Sequence, residues 1–194
     1  MYTIPVTFRQ FNISPSAQMA HQSSQCEMVK SFCNTFVLPD DTCNHSRFDE
    51  NLASKIASYK DRALKPVTDM LSCADNEKDI TAGLFLLNRI IDAGAQSAYK
   101  TYPVISKFNY SSSSNVQTML AGVYRKTLVP DAFGPLMTMF LKNSQNPKTF
   151  PFDPNEEIGG AILEYLRNKS AVINYSKNEI FTSKKILSGF FNIT

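Results

Sequence analysis

Five side chains able to ligate a metal or carry a nucleophile crowd the N-terminal part of the chain: His21, Cys26, Cys33, Cys43 and His45. Four of them could enclose zinc. One thiol with a histidine base, oriented by Asp40 or Asp41, would make a cysteine nucleophile. The spacing speaks against both. No two cysteines stand two to four residues apart, as zinc knuckles require. The step from Cys26 to Cys33 sets both thiols on one helix face, two turns apart, where they pack as small apolar groups. Cys73, alone near a helix end, reads as a buried small side chain as well. Seven glycines leave no phosphate-cradling loop. The acid pairs Asp40-Asp41 and Glu156-Glu157 fall in a turn and at a helix start, where carboxylates complement the helix dipole. No metal or cofactor is expected on these grounds. A small cysteine-dependent enzyme with its site in residues 21–45 is the alternative to a non-enzymatic reading.

The second constellation is cationic. Aligning three helices on Ile80, Val116 and Ile158 brings an arginine nine residues later in each: Arg89, Arg125 and Arg167. Nine steps of about 100° turn each arginine to the side opposite the apolar anchor. Side by side, the three helices would carry an arginine ladder, flanked by Phe85 and Leu86, by Ala121 and Gly122, and by Leu163 and Glu164. Arginine beside aromatic and aliphatic groups is the composition of protein-binding hot spots. The expected partner-binding residues are therefore Arg89, Arg125, Arg167, Phe85 and Leu163. With Lys126 and Lys169 nearby, the ladder could instead track phosphates. Asp92 and Glu164 on or beside the same side, and the absence of tryptophan, weigh against nucleic acid.

The elements that must hold these residues are helical. From Asp49 onward, apolar residues recur at helical spacing: Leu52, Ile56 and Tyr59; Leu64, Val67, Met70 and Leu71; then Ile80, Leu84, Leu87 and Ile91. Asp75-Asn76 supplies a helix start and Gly94 a stop. Tyr99 to Phe108 is a short apolar stretch closed by four serines. Helices beginning near Val116 and Phe133 follow, then a Pro- and Asn-rich loop over 143–155, then helices near Ile158 and Ile180. Residues 1–50 read as an irregular cap. Within it, Ile4, Val6 and Phe8 alternate as a short extended segment, residues 12–25 form a polar stretch, and a short helix spans Gln25 to Phe36.

Three segments share one plan: a short helix with proline near its start, a turn, and a longer helix opening on a β-branched residue. The first halves centre on Pro66, Pro103 and Pro135, and the second halves open at Ile80, Val116 and Ile158. Over about residues 63–171 this arrangement resembles HEAT repeats. The resemblance implies stacked helix pairs whose second helices line a binding surface. The expectation is one all-α domain, a short HEAT-like helix-pair solenoid over 51–194 with an irregular N-terminal cap; an irregular helical bundle is the alternative.

Composition fits that reading. Hydrophobic residues make up 43% and charged residues 19%, with a net charge of +3. The mild basic excess permits an acidic partner without demanding one. No stretch reaches the roughly 18 apolar residues of a membrane span, and the first residues show no secretory leader. The expectation is a cytoplasmic protein, or one delivered without a cleavable signal, acting as a non-enzymatic adaptor for a protein partner.

Overall fold

A computed structural model describes residues 15–40, 45–145, 153–172 and 174–191. Its α-helices are α1 (Pro15–Thr35), α2 (Glu50–Ser58), α3 (Asp61–Cys73), α4 (Glu77–Asp92), α5 (Tyr102–Ile105), α6 (Ser114–Thr127), α7 (Phe133–Gln145), α8 (Asn155–Arg167) and α9 (Lys177–Phe191). Short 3₁₀ turns, Ala98–Thr101 and Ser106–Phe108, flank α5. The protein is all-α: no strand occurs among the described residues, where Val37 and Arg47 form an isolated antiparallel bridge.

Local chemistry sets the helix limits from α2 onward. Asp49, Asn76 and Ser113 each accept a hydrogen bond from a backbone N–H three residues ahead, at 3.0, 2.9 and 3.2 Å, so the first turns of α2, α4 and α6 are capped. Beyond α4, Gly94 sits at φ +94°, a conformation in which a Cβ would be strained. Leu128 closes α6 in the left-handed region, at φ 49°, two residues before Pro130.

The N-terminal part departs from expectation. Helix α1 begins at Pro15, ten residues earlier than the periodicity of Met28, Val29, Phe32 and Cys33 suggests. Proline is well suited to a first turn, and Ser23 and Ser24 are exposed, so apolar spacing could not mark this stretch. The alternating segment Ile4–Phe8 and residues Asp41 and Cys43 lie outside the described residues.

Helix α4 is the centre of the molecule. It packs against α1, α2, α3 and α6, and α6 in turn packs against α8. Leu84, Leu86, Leu87 and Ile90 are therefore wholly buried, each contributing about 1.5–3 kcal/mol of burial free energy. Helices α4 and α6 run in the same direction. Near their starts, Glu77 Oε1 accepts hydrogen bonds from Ser113 Oγ at 2.7 Å and Asn115 Nδ2 at 2.9 Å. Near their ends, Lys126 Nζ donates to Asp92 at 2.8 Å. Between these, Asn88 Nδ2 donates to the Met119 carbonyl. Gly83 and Gly122 let the helices approach: a Cβ would fall 2.6 Å from Leu71 and Met70 at the first, and 2.9 Å from Asn88 Oδ1 at the second. The second helices of the three expected units thus lie side by side in chain order, α3 packs on α4, and α7 packs on α8.

Candidate functional site

Each expected arginine is engaged within the molecule. Arg89 forms an ion pair with Glu50 of α2 and lies over the Phe85 ring, 5.9 Å from its centroid. Arg125 reaches Glu157 of α8 at 3.5 Å, and Arg167 reaches Glu164 of its own helix at 3.5 Å. Their side chains are 36%, 46% and 73% exposed, so they leave the core as the helical arithmetic requires. Their neighbours do not: Leu86 and Ala121 are wholly buried and Gly122 is buried too. A helix flanked on both sides buries a wider arc than one apolar stripe, which a single-helix projection cannot show.

Phe85 has a double placement. It sits in a four-ring cluster with Phe32, Phe36 and Phe48, its closest ring being Phe48 at a centroid distance of 4.4 Å. It also lines a cleft of roughly 520 Å³. The cleft draws on all three second helices: Phe85 from α4; Asn115, Thr118 and Met119 from α6; Glu156 and Glu157 from α8. Asp153, before α8, joins them, and Pro39, His45, Ser46 and Phe48 close one side. Residues 36–40 and 45–48 hold that side through the Val37–Arg47 bridge and an Arg47–Asp40 ion pair at 3.1 Å. Of the five expected partner-binding residues only Phe85 lines the cleft; Arg89, Arg125 and Arg167 do not, and Leu163 is half-buried against the core.

The electrostatics of the cleft are acidic. Glu157 is shared with Arg125, and Asp153 Oδ1 accepts the Asn155 N–H at 2.9 Å. Glu156 is exposed at the start of α8.

Of the cysteine cluster, the Cys43 and His21 side chains lie outside the described residues, and the described members do not assemble into such a site. Cys33 is buried in the core, where desolvation, reinforced by the Asp79 charge, pushes its thiol pKa up to about 11, the opposite of what a nucleophile needs. Cys26 lines a separate hollow of roughly 390 Å³ with Cys73, Lys30, Asp69 and Asp79. Cys73, read as buried, is exposed at the end of α3. Among the described residues no three His, Cys, Asp or Glu side chains are grouped to hold a metal ion, and no helix is long and apolar enough to cross a membrane.

No family model, curated protein or solved structure matches the chain. A functional reading therefore rests on the geometry of the cleft and its surroundings.

Proposed function

We propose that the protein is a non-enzymatic interaction module that binds a segment of a protein partner across its second-helix surface, with the cleft as the anchoring point. The observation that carries this reading is that α4, α6 and α8, three elements far apart in sequence, contribute to one concavity with an aromatic and thioether floor. Its volume lies within the range of about 300–1,000 Å³ typical of binding sites. In this reading the helix pairs act as a short HEAT-like array. Arg89 and Arg125 border the anchor through their contacts with Phe85 and Glu157, while Arg167 and Leu163 extend the surface beyond it. Carboxylates in the lining disfavour a phosphate backbone, so a protein partner is preferred over nucleic acid.

Blocking the cleft tests the reading. Ser46 lines it from a loop, so Ser46→Trp fills space without disturbing a helix. A partner captured from the native source by the unaltered chain, identified by mass spectrometry, is expected to be lost from Ser46→Trp at unchanged helical circular dichroism. Equal capture by both proteins would refute the cleft as anchor.

A further inference from the structure

The cleft lining divides by chemistry. Phe85 and Met119 supply an apolar floor, Pro39 and Phe48 add apolar surface on one side, and Asp153, Glu156 and Glu157 supply carboxylates. Of the neighbouring guanidinium groups, Arg125 reaches Glu157, at the long distance of 3.5 Å, while Arg89 is held by Glu50. Among the described lining residues, where His45 is the one basic side chain, three carboxylates against the neighbouring Arg125 guanidinium leave a surplus of acidic groups. The start of α8 offsets only part of it, since a helix end carries about half a positive charge. This acidic surplus belongs to a chain whose net charge is +3, so the cleft is a local inversion of the overall field.

Three classes of occupant can be compared on that lining. An anion would meet the carboxylates. A wholly apolar group would cover the floor while stripping water from the charged groups, which is costly without a compensating partner. A cationic side chain on an apolar stem satisfies both halves: its methylenes lie on phenylalanine and methionine, and its head reaches the carboxylates. Arginine fits best, because its planar guanidinium both stacks on an aromatic face and pairs with carboxylates. The molecule makes each of these contacts at the border of the cleft: Arg89 over Phe85, and Arg125 on Glu157.

We infer, building on the interaction-module reading above, that the cleft receives an arginine presented beside an apolar side chain by a basic segment of the partner. The volume of roughly 520 Å³ holds more than one side chain, which is why the apolar neighbour belongs to the proposal. Glu156, exposed and away from the ion pairs of the second helices, is the first contact of the incoming cation, and Glu157 the second as Arg125 swings aside.

The test uses the full chain and a library of random dodecapeptides displayed on phage. Selected peptides are expected to carry arginine, or less often lysine, next to Leu, Ile, Met or Phe. Measured by fluorescence polarisation of a labelled selected peptide, Glu156→Lys is expected to weaken binding at least tenfold, Ser46→Trp to abolish it, and arginine-to-alanine in the peptide to match Glu156→Lys. If Ser46→Trp abolishes binding but the peptides lack cations and Glu156→Lys leaves affinity unchanged, the arginine assignment falls while the interaction reading stands. If no peptide is enriched, or if neither substitution affects binding, both fall. Unchanged circular dichroism of each variant secures the comparison.

Discussion

Reversing the three arginines one at a time should produce a graded loss of stability. Arg89→Glu removes an attraction to Glu50 worth about 0.2–1 kcal/mol and a cation–π contact worth about 0.5–1 kcal/mol. It also sets two carboxylates against each other between α2 and α4, at a site only 36% exposed. The two losses come to about 0.7–2 kcal/mol, to which the repulsion adds. Arg125→Glu loses one longer pair with Glu157 and places like charges across α6 and α8, for about 1 kcal/mol. Arg167, 73% exposed and paired within its own helix, should stay within about 0.5 kcal/mol. With a urea slope of about 2 kcal/mol/M for a domain of this size, the Arg89→Glu midpoint should fall by at least about 0.35–1 M and that of Arg167→Glu by no more than about 0.25 M. Urea unfolding followed by circular dichroism reads both. The charge swap Glu50→Arg with Arg89→Glu should recover part of the loss. If Arg167→Glu costs as much as Arg89→Glu, or if the swap is no better than the single reversal, the assignment of Arg89 as the tie between α2 and α4 is wrong.

Three further outcomes follow from other parts of the fold. Gly83→Ala should lower the thermal midpoint: its Cβ would sit 2.6 Å from Leu71 and Met70, and overpacking of about 1–3 kcal/mol exceeds the roughly 0.5–1 kcal/mol gained in helix propensity. Asp61 accepts backbone hydrogen bonds from Ser97 at 2.7 Å and Gln96 at 3.3 Å, which hold its carboxyl below the ordinary range. A folded-state pKa depressed in this way stabilises the fold above the unfolded value and stops doing so as pH falls through the folded one. Asp61→Asn should therefore be less stable than the unaltered chain at neutral pH, with the difference closing below about pH 4 in pH-dependent urea melts. Cys33, with its thiol raised from 9.0 to about 11, should react with iodoacetamide in the native state at least about a hundredfold more slowly than an unperturbed thiol, while exposed Cys73 labels readily; peptide mass spectrometry distinguishes them.

The helices from α2 onward were legible from their apolar spacing. Asn76 marks a start and the run from Ile80 to Ile91 marks the helix between Asn76 and Gly94, whereas Ser113, which reads as the close of the preceding stretch, caps α6 in the structure. Helix α1 was legible only in its second half, since Ser23 and Ser24 face solvent and leave no periodic trace. The arginine positions could be read from spacing, but their carboxylate partners could not: Glu50 and Glu157 lie on helices 39 and 32 residues away. Burial of Leu86 and Ala121 depends on how many neighbours a helix has, which no single-helix pattern contains. The cleft escaped for a similar reason. Phe85 stands out in the sequence, yet its companions Pro39, His45, Ser46 and Phe48 lie outside any helix and carry no periodic signal, and Glu156 and Glu157 read as ordinary helix-start acids.

The polar ties between successive second helices also bear on whether this chain could be lengthened or shortened by whole units. Glu77 receives Ser113 and Asn115, and Asp92 receives Lys126. Under the same alignment, the residues in those three places are Asn155 and Glu157 of α8 and Asn168 just beyond it. Excising the middle unit to join α4 directly to α8 would set Glu77 against Glu157 and leave Asp92 without its ammonium partner. The three segments share a spacing, but the polar contacts that join α4 to α6 are particular to that pair, so α8 could not take the place of α6.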